Sequence, residues 1–353
     1  MEVYITGIGK ITVQPFSGSG LSATPHYTES RYSRCDDPSF SDYFNPMEAR
    51  RMSTIIRRSV VTTAMALKEA ETEIPGAVIT GTGLGCIEDT EKFLTAMIND
   101  GEKFLKPTYF IHSTHNTISS QIAIRLKCNG YNNTFVHRGI SFELALQDAM
   151  LLFGQKKINT ALVGGHDEMT PAYFGLLDRI GFWKKETVNS AMLCKSSTPG
   201  SVAGEGSISF LLSDRKGSSA YARIADMTTL YNGNGNIDLP SHIIKFLKSD
   251  GLRPEDIDIL MTGINGDANY DRIYEETADK VFPGKAVGWY KHLSLEYFTS
   301  PAFGLMISAQ CLKEGILPGY LKLKGDLSRK PKYLLMHNHF RNRNHSLVLL
   351  TSC

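Results

Sequence analysis

The stretch NNTFVHRGISFELALQDAM, residues 132–150, has the pattern of a short apolar strand that turns sharply into a buried helix. Acyl-transfer enzymes mount a nucleophile at such a turn, because backbone N–H groups and the helix dipole stabilise negative charge there. Ser141 is a candidate nucleophile, and it would need His137, His112 or His115 as its base. A serine in the first helical turn also serves as a cap or polar filler, so both interpretations stay open.

A second candidate for chemistry lies near the C-terminus. His337 and His339 alternate on one face of an apparent strand, with His345 nearby, which is one element of a metal site. No cysteine or carboxylate stands at a spacing that completes a ligand set. The six cysteines lie far apart without a CxxC pair, which indicates reduced thiols. We therefore predict no metal and no cofactor, and interpret these histidines as polar loop lining.

The composition excludes several classes of protein. The chain has 353 residues, of which 42% are hydrophobic and 21% charged, as in ordinary soluble proteins. No apolar run approaches the roughly 18 residues of a membrane span. With 38 basic and 36 acidic side chains, no field of one sign would attract nucleic acid. The start lacks the pattern of a secretion signal, so we expect a cytoplasmic protein.

The elements that must position these residues alternate along the chain. Strand-like runs at 2–9, 77–83, 133–137, 160–165 and 206–213 alternate with long helix-like segments. This alternation is typical of an α/β fold with mostly parallel, buried strands. Apolar residues at helical spacing predict a helix that starts near Asn45-Pro46, and the set is Met52, Ile55, Ile56, Val60 and Ala64. A later helix is predicted to end at Gly130 as its C-terminal cap.

The chain divides into two similar halves in this interpretation. A new run of strands and helices begins near residue 221, so we predict one half at 1–220 and the other at 221–353. Two such halves would give two sheets with helices packed between them. No low-complexity linker separates them, and they should therefore pack as one body.

Four motifs, taken in order, carry a family resemblance. They are LVGGHDE (162–168), VAGEGS (202–207), GLRPEDIDILMTG (251–263) and KHLSLEYFTSPAFG (291–304). Together they resemble the β-ketoacyl synthases, the condensing enzymes of the thiolase-like superfamily, over essentially the whole chain. Each match alone is weak, whereas their order and spacing indicate a thiolase-like fold. The resemblance implies duplicated α/β halves in a layered αβαβα sandwich.

The resemblance also identifies the position of the family's nucleophilic cysteine. That cysteine stands nine residues after the glycine that Gly130 matches, and 25 before the one that Gly164 matches. Both counts lead to Gly139. Because glycine has no side chain to acylate, condensation cannot proceed through this position.

Both catalytic histidines of the family are also replaced. The first falls on Gly263, and the second falls on Glu296, five residues after a retained Lys291. A carboxylate would repel an oxyanion unless burial protonated it. The family's GFGG loop resembles HFRNRNH here: Phe340 is kept, while His339, Arg341 and Asn342 replace glycines. Leu295, directly before Glu296, also replaces a glycine of the family's motif. Since other residues disfavour the backbone swings that glycine permits, we predict a fixed loop.

The resemblance therefore implies a catalytically silent, chain-length-factor-like partner of an active ketosynthase in polyketide, polyene or fatty-acid-like synthesis. Independent condensing activity is not expected. One alternative is an acyltransferase, synthase-like enzyme or hydrolase that uses Ser141. The other is a homodimeric scaffold that binds a carrier protein. In every version the strand at 133–137 is expected to pair across a dimer axis, with an apolar interface around residues 110–150.

Residues near the elbow, the retained lysine and the loop near the C-terminus are expected to line the pocket or the interface, and they are His137, Arg138, Phe142, Lys291, His339, Phe340 and Arg341. Two roles are expected for Arg138. It either fills the inactive pocket at Gly139 or contacts a partner chain, or it forms a salt bridge with Glu143, Glu168 or Glu296.

Two further sets complete the predictions. The apolar residues of the two central helices are assigned to the core, with some available to line an acyl tunnel, and they are Phe142, Leu144, Leu146, Met150, Leu151, Phe303, Leu305 and Met306. A basic run on the early helix is either a solvated face or a surface for an acidic acyl carrier protein, and it comprises Arg50, Arg51, Arg57 and Arg58.

Overall fold

A computed structural model describes residues 2–16, 20–21, 23–103, 105–233 and 235–353. Within these residues eleven strands form one hydrogen-bonded sheet in the order β3-β2-β4-β5-β1-β6-β11-β10-β7-β8-β9. The strands are β1 (Val3–Thr12), β2 (Ala77–Gly81), β3 (Tyr131–Phe135), β4 (Thr160–Asp167), β5 (Gly206–Ser213), β6 (Ala222–Tyr231), β7 (Ile259–Thr262), β8 (Ala286–Trp289), β9 (Lys322–Lys324), β10 (Tyr333–Phe340) and β11 (Asn344–Thr351).

The α-helices of the described residues are α1 (Pro46–Ala49), α2 (Thr54–Glu69), α3 (Ile87–Asn99), α4 (Pro107–His112), α5 (Thr117–Leu126), α6 (Ser141–Gly154), α7 (Pro171–Arg179), α8 (Leu239–Ser249), α9 (Arg272–Val281), α10 (Lys291–Ser294) and α11 (Pro301–Glu314). Several of them pack against strands of this sheet, and two of them, α6 and α11, contact strands of both halves. No helix in the described ranges is long and apolar enough to cross a bilayer.

The strand order shows an internal duplication. Numbered within each half, strands 1 to 5 lie in the order 3-2-4-5-1, first as β3-β2-β4-β5-β1 and again as β8-β7-β10-β11-β6. The orientations of the paired strands are the same in both halves. The prediction of duplicated α/β halves is thus confirmed. The boundary at residues 220 and 221 falls just before β6 and stays a prediction.

The arrangement of the strands differs from the sequence prediction in two ways. Four strand pairings are parallel and six are antiparallel, so the prediction of mostly parallel strands is wrong. Strands buried on both faces have the same hydropathy in either orientation, and the sequence pattern therefore did not separate the two. The halves also share one hydrogen-bonded sheet, because Val3–Ile5 pairs with residues 222–224 of β6.

The two central helices lie in the core of the molecule. Helix α6 contacts β2 and β4 of the first half and β6 of the second, while α11 contacts β10, β11 and β4. Their apolar residues belong to one buried cluster, as predicted for Phe142, Leu146, Met150, Phe303, Leu305 and Met306. Two members of the predicted set differ, because Leu144 is half-buried and Leu151 is 58% exposed.

The early helical region is broken rather than continuous. Asn45 caps the short α1 through its side chain, and the chain then breaks before α2. Ser53 stands in an extended conformation at the N-terminus of α2. Ala64 is exposed and so lies outside the buried face of α2, which continues to Ala66 and Leu67. A single periodic pattern spans both helices because each contributes apolar residues to the same cluster.

The cap of α5 also differs from the prediction. The helix ends at Leu126, and Lys127 adopts the left-handed conformation there with φ of 53°. Gly130 instead lies against the backbone of Gly76, where a Cβ would be only 2.3 Å from the Gly76 carbonyl oxygen. Close backbone packing, rather than helix capping, therefore accounts for this glycine.

Candidate functional site

The elbow between β3 and α6 is one short turn. Residues Arg138–Ile140 form a single 3-10 turn, after which α6 begins at Ser141. Arg138 has φ of 53°, a left-handed conformation that is unfavourable for a residue with a Cβ. Gly139 is buried directly beside it. The predicted nucleophile position therefore does lie at a sharp strand-to-helix turn.

Phe340 occupies the space that a side chain at Gly139 would need. A Cβ on Gly139 would stand 2.1 to 2.4 Å from Cγ, Cδ2 and Cβ of Phe340, far inside van der Waals contact. Phe340 is the last residue of β10, a strand of the other half. The position predicted for the nucleophile is thus filled by an aromatic ring from the other half of the chain.

Aromatic and cationic contacts hold this ring in place. Phe298 packs against it edge-on with a centroid distance of 5.7 Å, and Phe182 packs at 6.3 Å. The guanidinium of Arg341 lies 4.5 Å from the centre of the Phe182 ring and 5.2 Å from that of Tyr270. Each cation–π contact of this kind contributes about 0.5–2 kcal/mol.

The hairpin turn that carries Phe340 has positive φ values at residues other than glycine. Arg341 and Asn342 have φ of 50° and 53°, and the Arg343 N–H donates to the Phe340 carbonyl oxygen over 3.0 Å. Two successive positive φ values are the requirement of a tight type I′ hairpin turn. The residues adopt a conformation that their types disfavour, and immobility of the loop stays a prediction.

The position of the first histidine is filled as well. A Cβ on Gly263 would lie 2.5 Å from Oδ1 of Asn338 and 2.7 Å from the hydroxyl of Tyr274. The Tyr290 hydroxyl donates to Asn338 Oδ1 over 3.2 Å. Two buried tyrosines and an asparagine therefore occupy the volume in which an imidazole would stand.

At the second histidine position, Glu296 forms an ion pair. Lys291 Nζ lies 2.8 Å from Glu296 Oε2, and Asn265 Nδ2 donates to the same oxygen over 2.6 Å. Ser300 donates to the other oxygen over 3.3 Å. The group presents acceptor oxygens where an oxyanion needs donors. Leu295, at the motif's glycine position, has φ of 59° and ψ of −168°, a conformation that is essentially restricted to glycine.

A buried carboxyl that was not predicted as a site residue joins the two halves. Glu143 of α6 accepts hydrogen bonds on Oε1 from Asn338 Nδ2 and the Ser346 hydroxyl, each over 3.0 Å. Its Oε2 has no partner among the described residues. Burial raises the pKa of Glu143 to about 7. From the sequence, Glu143 was considered only as a possible salt-bridge partner of Arg138.

Arg138 itself makes none of the predicted salt bridges. Its side chain is exposed and has no ion-pair partner in the described part of the chain. The turn directs it outward, because the left-handed conformation at residue 138 places Gly139 inward in its stead. His137 is exposed beside it, whereas Phe142 is buried at 1% exposure.

Ser141 is engaged with the backbone of the elbow. Its hydroxyl donates to the Arg138 carbonyl oxygen and accepts from the His137 N–H, each over 2.8 Å. No histidine ring of the described residues is hydrogen-bonded to it, and His112 bonds Asp89 through Nδ1 over 3.1 Å. These contacts are those of a structural cap. Its reactivity stays a prediction for experiment.

The three C-terminal histidines are buried, so the prediction of polar loop lining is wrong. His337 Nε2 lies 3.3 Å from His345 Nδ1, and His339 stacks on Tyr274 with a centroid distance of 4.4 Å. Burial lowers the pKa of all three, to about 4 for His345. Across the described ranges, no group of three or more His, Cys, Asp or Glu side chains is arranged to hold a metal ion.

An aromatic cavity beside Phe340 has little free space. Its volume is about 30 Å³, close to that of two water molecules when one needs roughly 10–15 Å³. The walls include Phe182, Trp183, Phe298 and Phe340, together with the buried carboxyls of Asp167 and Glu168 and the half-buried Glu296. Burial raises the pKa of Asp167 to about 6 and that of Glu168 to about 8. No room for an acyl chain remains there.

The basic run of the early helix is divided between surface and interior. Arg50 and Arg51 are exposed, and Arg57 is half-buried with its guanidinium 4.7 Å from the centre of the Phe40 ring. Arg58 is buried and paired with carboxylates, so it is not part of any solvated basic face.

The outermost strand of the first half is open. β3 forms one edge of the sheet, and its residues are exposed or half-buried. Helices α5 and α6 pack against it, and the exposed apolar side chains of these helices and of the residue after the strand are Ile124, Leu151 and Val136. An open edge strand with apolar neighbours is the kind of surface that a partner chain covers.

With this geometry in place, comparison with known proteins identifies the family. The family model described as "Beta-ketoacyl synthase, N-terminal domain" matches residues 17–216, more than half of the chain. The chain therefore belongs to the β-ketoacyl synthase family. No match was found among the curated proteins.

Solved structures agree on the fold. A β-ketoacyl synthase from Burkholderia phymatum STM815 is similar with a TM-score of 0.82 and 13% identity, over 100% of this chain and 99% of that one. The ishigamide ketosynthase/chain length factor gives 0.80 and 16%, with the same coverage. The ketosynthase ApeO in complex with its chain length factor ApeC, from Xenorhabdus doucetiae, gives 0.75 and 14%, over 100% and 98%. The predicted thiolase-like fold is confirmed.

Proposed function

We propose that this chain is a chain-length-factor-like subunit that pairs with an active ketosynthase and does not itself condense acyl groups. The pathway would be polyketide, polyene or fatty-acid-like synthesis, in the cytoplasm. One observation carries the proposal: the Phe340 ring fills the volume that a nucleophilic side chain at position 139 would require. The packing of Phe340 therefore leaves no space for any residue larger than glycine at position 139.

The other two catalytic positions support the same proposal. Position 263 is crowded by Asn338 and Tyr274, and position 296 carries a carboxylate in an ion pair with Lys291. An oxyanion that developed at this place would meet acceptors instead of donors. The three positions thus favour a subunit that contributes shape and surface.

The open edge supports a partner. β3 leaves backbone groups unpaired near exposed Ile124, Val136 and Leu151. An interface over this surface would pair the backbone groups and cover the apolar side chains. Two similar structures are a ketosynthase with its chain length factor, and a third is a type II acyl-carrier protein in complex with its ketosynthase. We extend the synthase partner to this chain on that basis, and a carrier protein as a further partner of the complex.

Co-expression tests the proposal. The chain is produced with a ketosynthase that has an intact Cys-His-His set, and the complex is purified and its stoichiometry measured by light scattering. Intact mass of the carrier-bound products then gives acyl length with and without this chain. We expect a one-to-one complex, no acyl adduct on this chain, and a changed product length.

Each alternative gives a distinct result in the same experiment. An acyl adduct at Ser141 on the isolated chain would establish the displaced-nucleophile enzyme and overturn catalytic silence. A stable homodimer that ignores every synthase would establish the scaffold instead. The variant Ser141→Ala tests the first alternative, and Ser113→Ala, at a half-buried serine whose hydroxyl donates to a backbone carbonyl, is its matched control.

A further inference from the structure

A second cavity lies on the other side of Glu168 from the aromatic cavity. Glu168 and Met169 line both. The second cavity has a volume of about 350 Å³ and is lined by charged groups that include Arg34, Arg58 and Glu91. We call it the Arg34–Glu91 cavity. Its volume lies at the lower end of the roughly 300–1,000 Å³ that small-molecule sites occupy.

A buried arginine in its wall has a donor without a partner. Arg58 is 3% exposed, and its guanidinium binds Asp37 through Nε and Nη2 over 2.6 and 2.8 Å. Nη2 also pairs with Glu205 over 2.9 Å. Nη1 has no hydrogen-bond partner among the described residues. Because an unsatisfied buried charged donor is unfavourable, an acceptor from outside the chain would stabilise this group.

The remaining charges of the cavity include one cation and one anion without an ion-pair partner, although Glu91 accepts a hydrogen bond from the Thr170 hydroxyl. Glu205 is used by Arg58 and by the N–H groups of Cys35 and Met169, each over 3.0 Å. Glu88 pairs with Lys92 over 2.7 Å. In the described residues, Arg34 and Glu91 have no ion-pair partner, although both line the cavity.

Helix ends add a favourable field for an anionic group. The cavity wall includes Thr54, Glu88 and Pro171, which stand in the first turns of α2, α3 and α7. Helix N-termini carry partial positive charge. Glu168 satisfies N–H groups of the first two helices, from Ile55 over 3.2 Å and from Glu88 over 3.0 Å.

We propose that the Arg34–Glu91 cavity binds a small zwitterion, a molecule with one carboxylate and one ammonium group. Its carboxylate accepts from Arg58 Nη1 and Arg34, and its ammonium donates to Glu91. An anion without the ammonium leaves the Glu91 charge unmatched in an acid-rich wall. A cation without the carboxylate leaves Arg58 Nη1 without an acceptor. The site does not depend on the proposed pairing with a synthase.

Isothermal titration of the full chain tests this proposal. The probes are glycine, β-alanine and γ-aminobutyrate, which differ in charge separation, with propionate and propylamine as analogues that carry one charge each. We expect at least one zwitterion to bind at submillimolar concentration and both single-charge analogues to bind at least tenfold more weakly. Equal binding of an analogue, or no binding by any probe, would overturn the proposal.

Two variants locate the site. Arg34→Gln and Glu91→Gln each remove one charge that no internal salt bridge uses, and each should weaken the binding of the zwitterion at least tenfold. Arg50→Gln and Asp100→Asn alter exposed charges of nearby segments outside the cavity and should leave binding unchanged. Thermal unfolding of all four verifies that they fold. If the site variants bind as the controls do, the ligand lies elsewhere and the assignment fails.

Discussion

The two halves of the molecule repeat one arrangement but expose it differently. In the first half the outer strand β3 leads through a turn with Arg138 at positive φ into the central helix α6. In the second half β8 leads through α10 and Leu295 at positive φ to α11. β3 is open at the sheet edge, whereas β8 is buried and covered by β9. The same supersecondary unit therefore offers a surface in one half and is enclosed in the other.

This difference assigns separate roles to the halves. The exposed edge with His137 and Arg138 is available to another chain, while the residues of the second half fill the space above the elbow. Phe340 and Asn338 both come from β10, and they fill the space beside Gly139 and Gly263, the positions predicted for the nucleophile and the first histidine. The second half thus closes the site that the first half would otherwise present.

The largest effect is expected at the open edge. Val136→Asp places a charge in the expected interface, and it should weaken pairing with a synthase at least 100-fold, since about 3 kcal/mol is lost when a carboxylate is desolvated there. Ile316→Asp, at an exposed apolar residue of the second half, should leave pairing unchanged. Analytical ultracentrifugation of the complexes measures both. Equal loss in the two variants would remove the distinction between the halves.

The next prediction concerns the filled elbow. Gly139→Cys alone should react slowly with an acyl thioester, because the new side chain has no room beside Phe340. Adding Phe340→Gly should raise the rate of acylation at position 139 at least tenfold. Mass spectrometry of the tryptic peptides measures the adduct. Phe340→Gly without the cysteine is the control, and the exposed Cys353 is the internal reference. If Gly139→Cys alone were acylated as fast as the double variant, the Phe340 ring would have to move away from position 139 readily.

A third prediction concerns the carboxyl that joins the halves. The pKa of Glu143 is raised to about 7 in the folded chain, so its neutral form is favoured by folding. Its contribution to stability is complete below the unfolded pKa of about 4.5 and is lost as the pH rises through 7. Glu143→Gln should therefore reduce the fall in stability between pH 5 and pH 8 by on the order of 3 kcal/mol.

Urea unfolding at the two pH values measures this slope. Glu275→Gln, an exposed glutamate of α9, is the control and should keep the wild-type slope. Glu168 contributes in the same direction, because its pKa is also raised, and some decline should remain in the variant. An unchanged slope in Glu143→Gln would mean that this carboxyl is ionised in the fold.

The smallest effect is expected at the enclosed turn. Leu295→Gly removes a buried side chain but also relieves the unfavourable backbone conformation at residue 295. Leu293→Gly removes a similar buried side chain from α10, where no backbone strain is relieved. The strain is about 1–3 kcal/mol, so Leu295→Gly should be less destabilising by that amount. Chemical denaturation compares the pair. Identical losses would indicate that the left-handed conformation is not strained.

Some of this site was accessible from the sequence because it depends on local backbone shape. The motif spacing placed Leu295, Arg341 and Asn342 on glycine positions of the family, and all three have positive φ. Gly139 likewise lies at the strand-to-helix turn. Turn geometry is encoded over a few residues, which is why motif counting located these positions.

The parts that were missed depend on contacts between distant residues. Phe340 lies against Gly139 although about 200 positions separate them, and Glu143 meets Asn338 and Ser346 across a similar distance. Burial of Arg58 depends on Asp37 and Glu205 in the same way. Hydrophobic periodicity predicts which face of a helix or strand is buried, but it does not predict which other element packs against that face. Strand direction was misjudged for a related reason, since hydropathy does not record orientation.

The position of the first strand has a consequence for synthesis of the chain. β1 lies in the middle of the sheet, between β5 and β6, and pairs with residues beyond 200 on both sides. During translation β1 is synthesised before β5 and β6, so it cannot form its strand pairings until most of the chain has left the ribosome. Meanwhile the open β3 edge is already made. Binding of a partner during translation would cover that edge in this interval, so simultaneous production of both chains should raise the soluble yield.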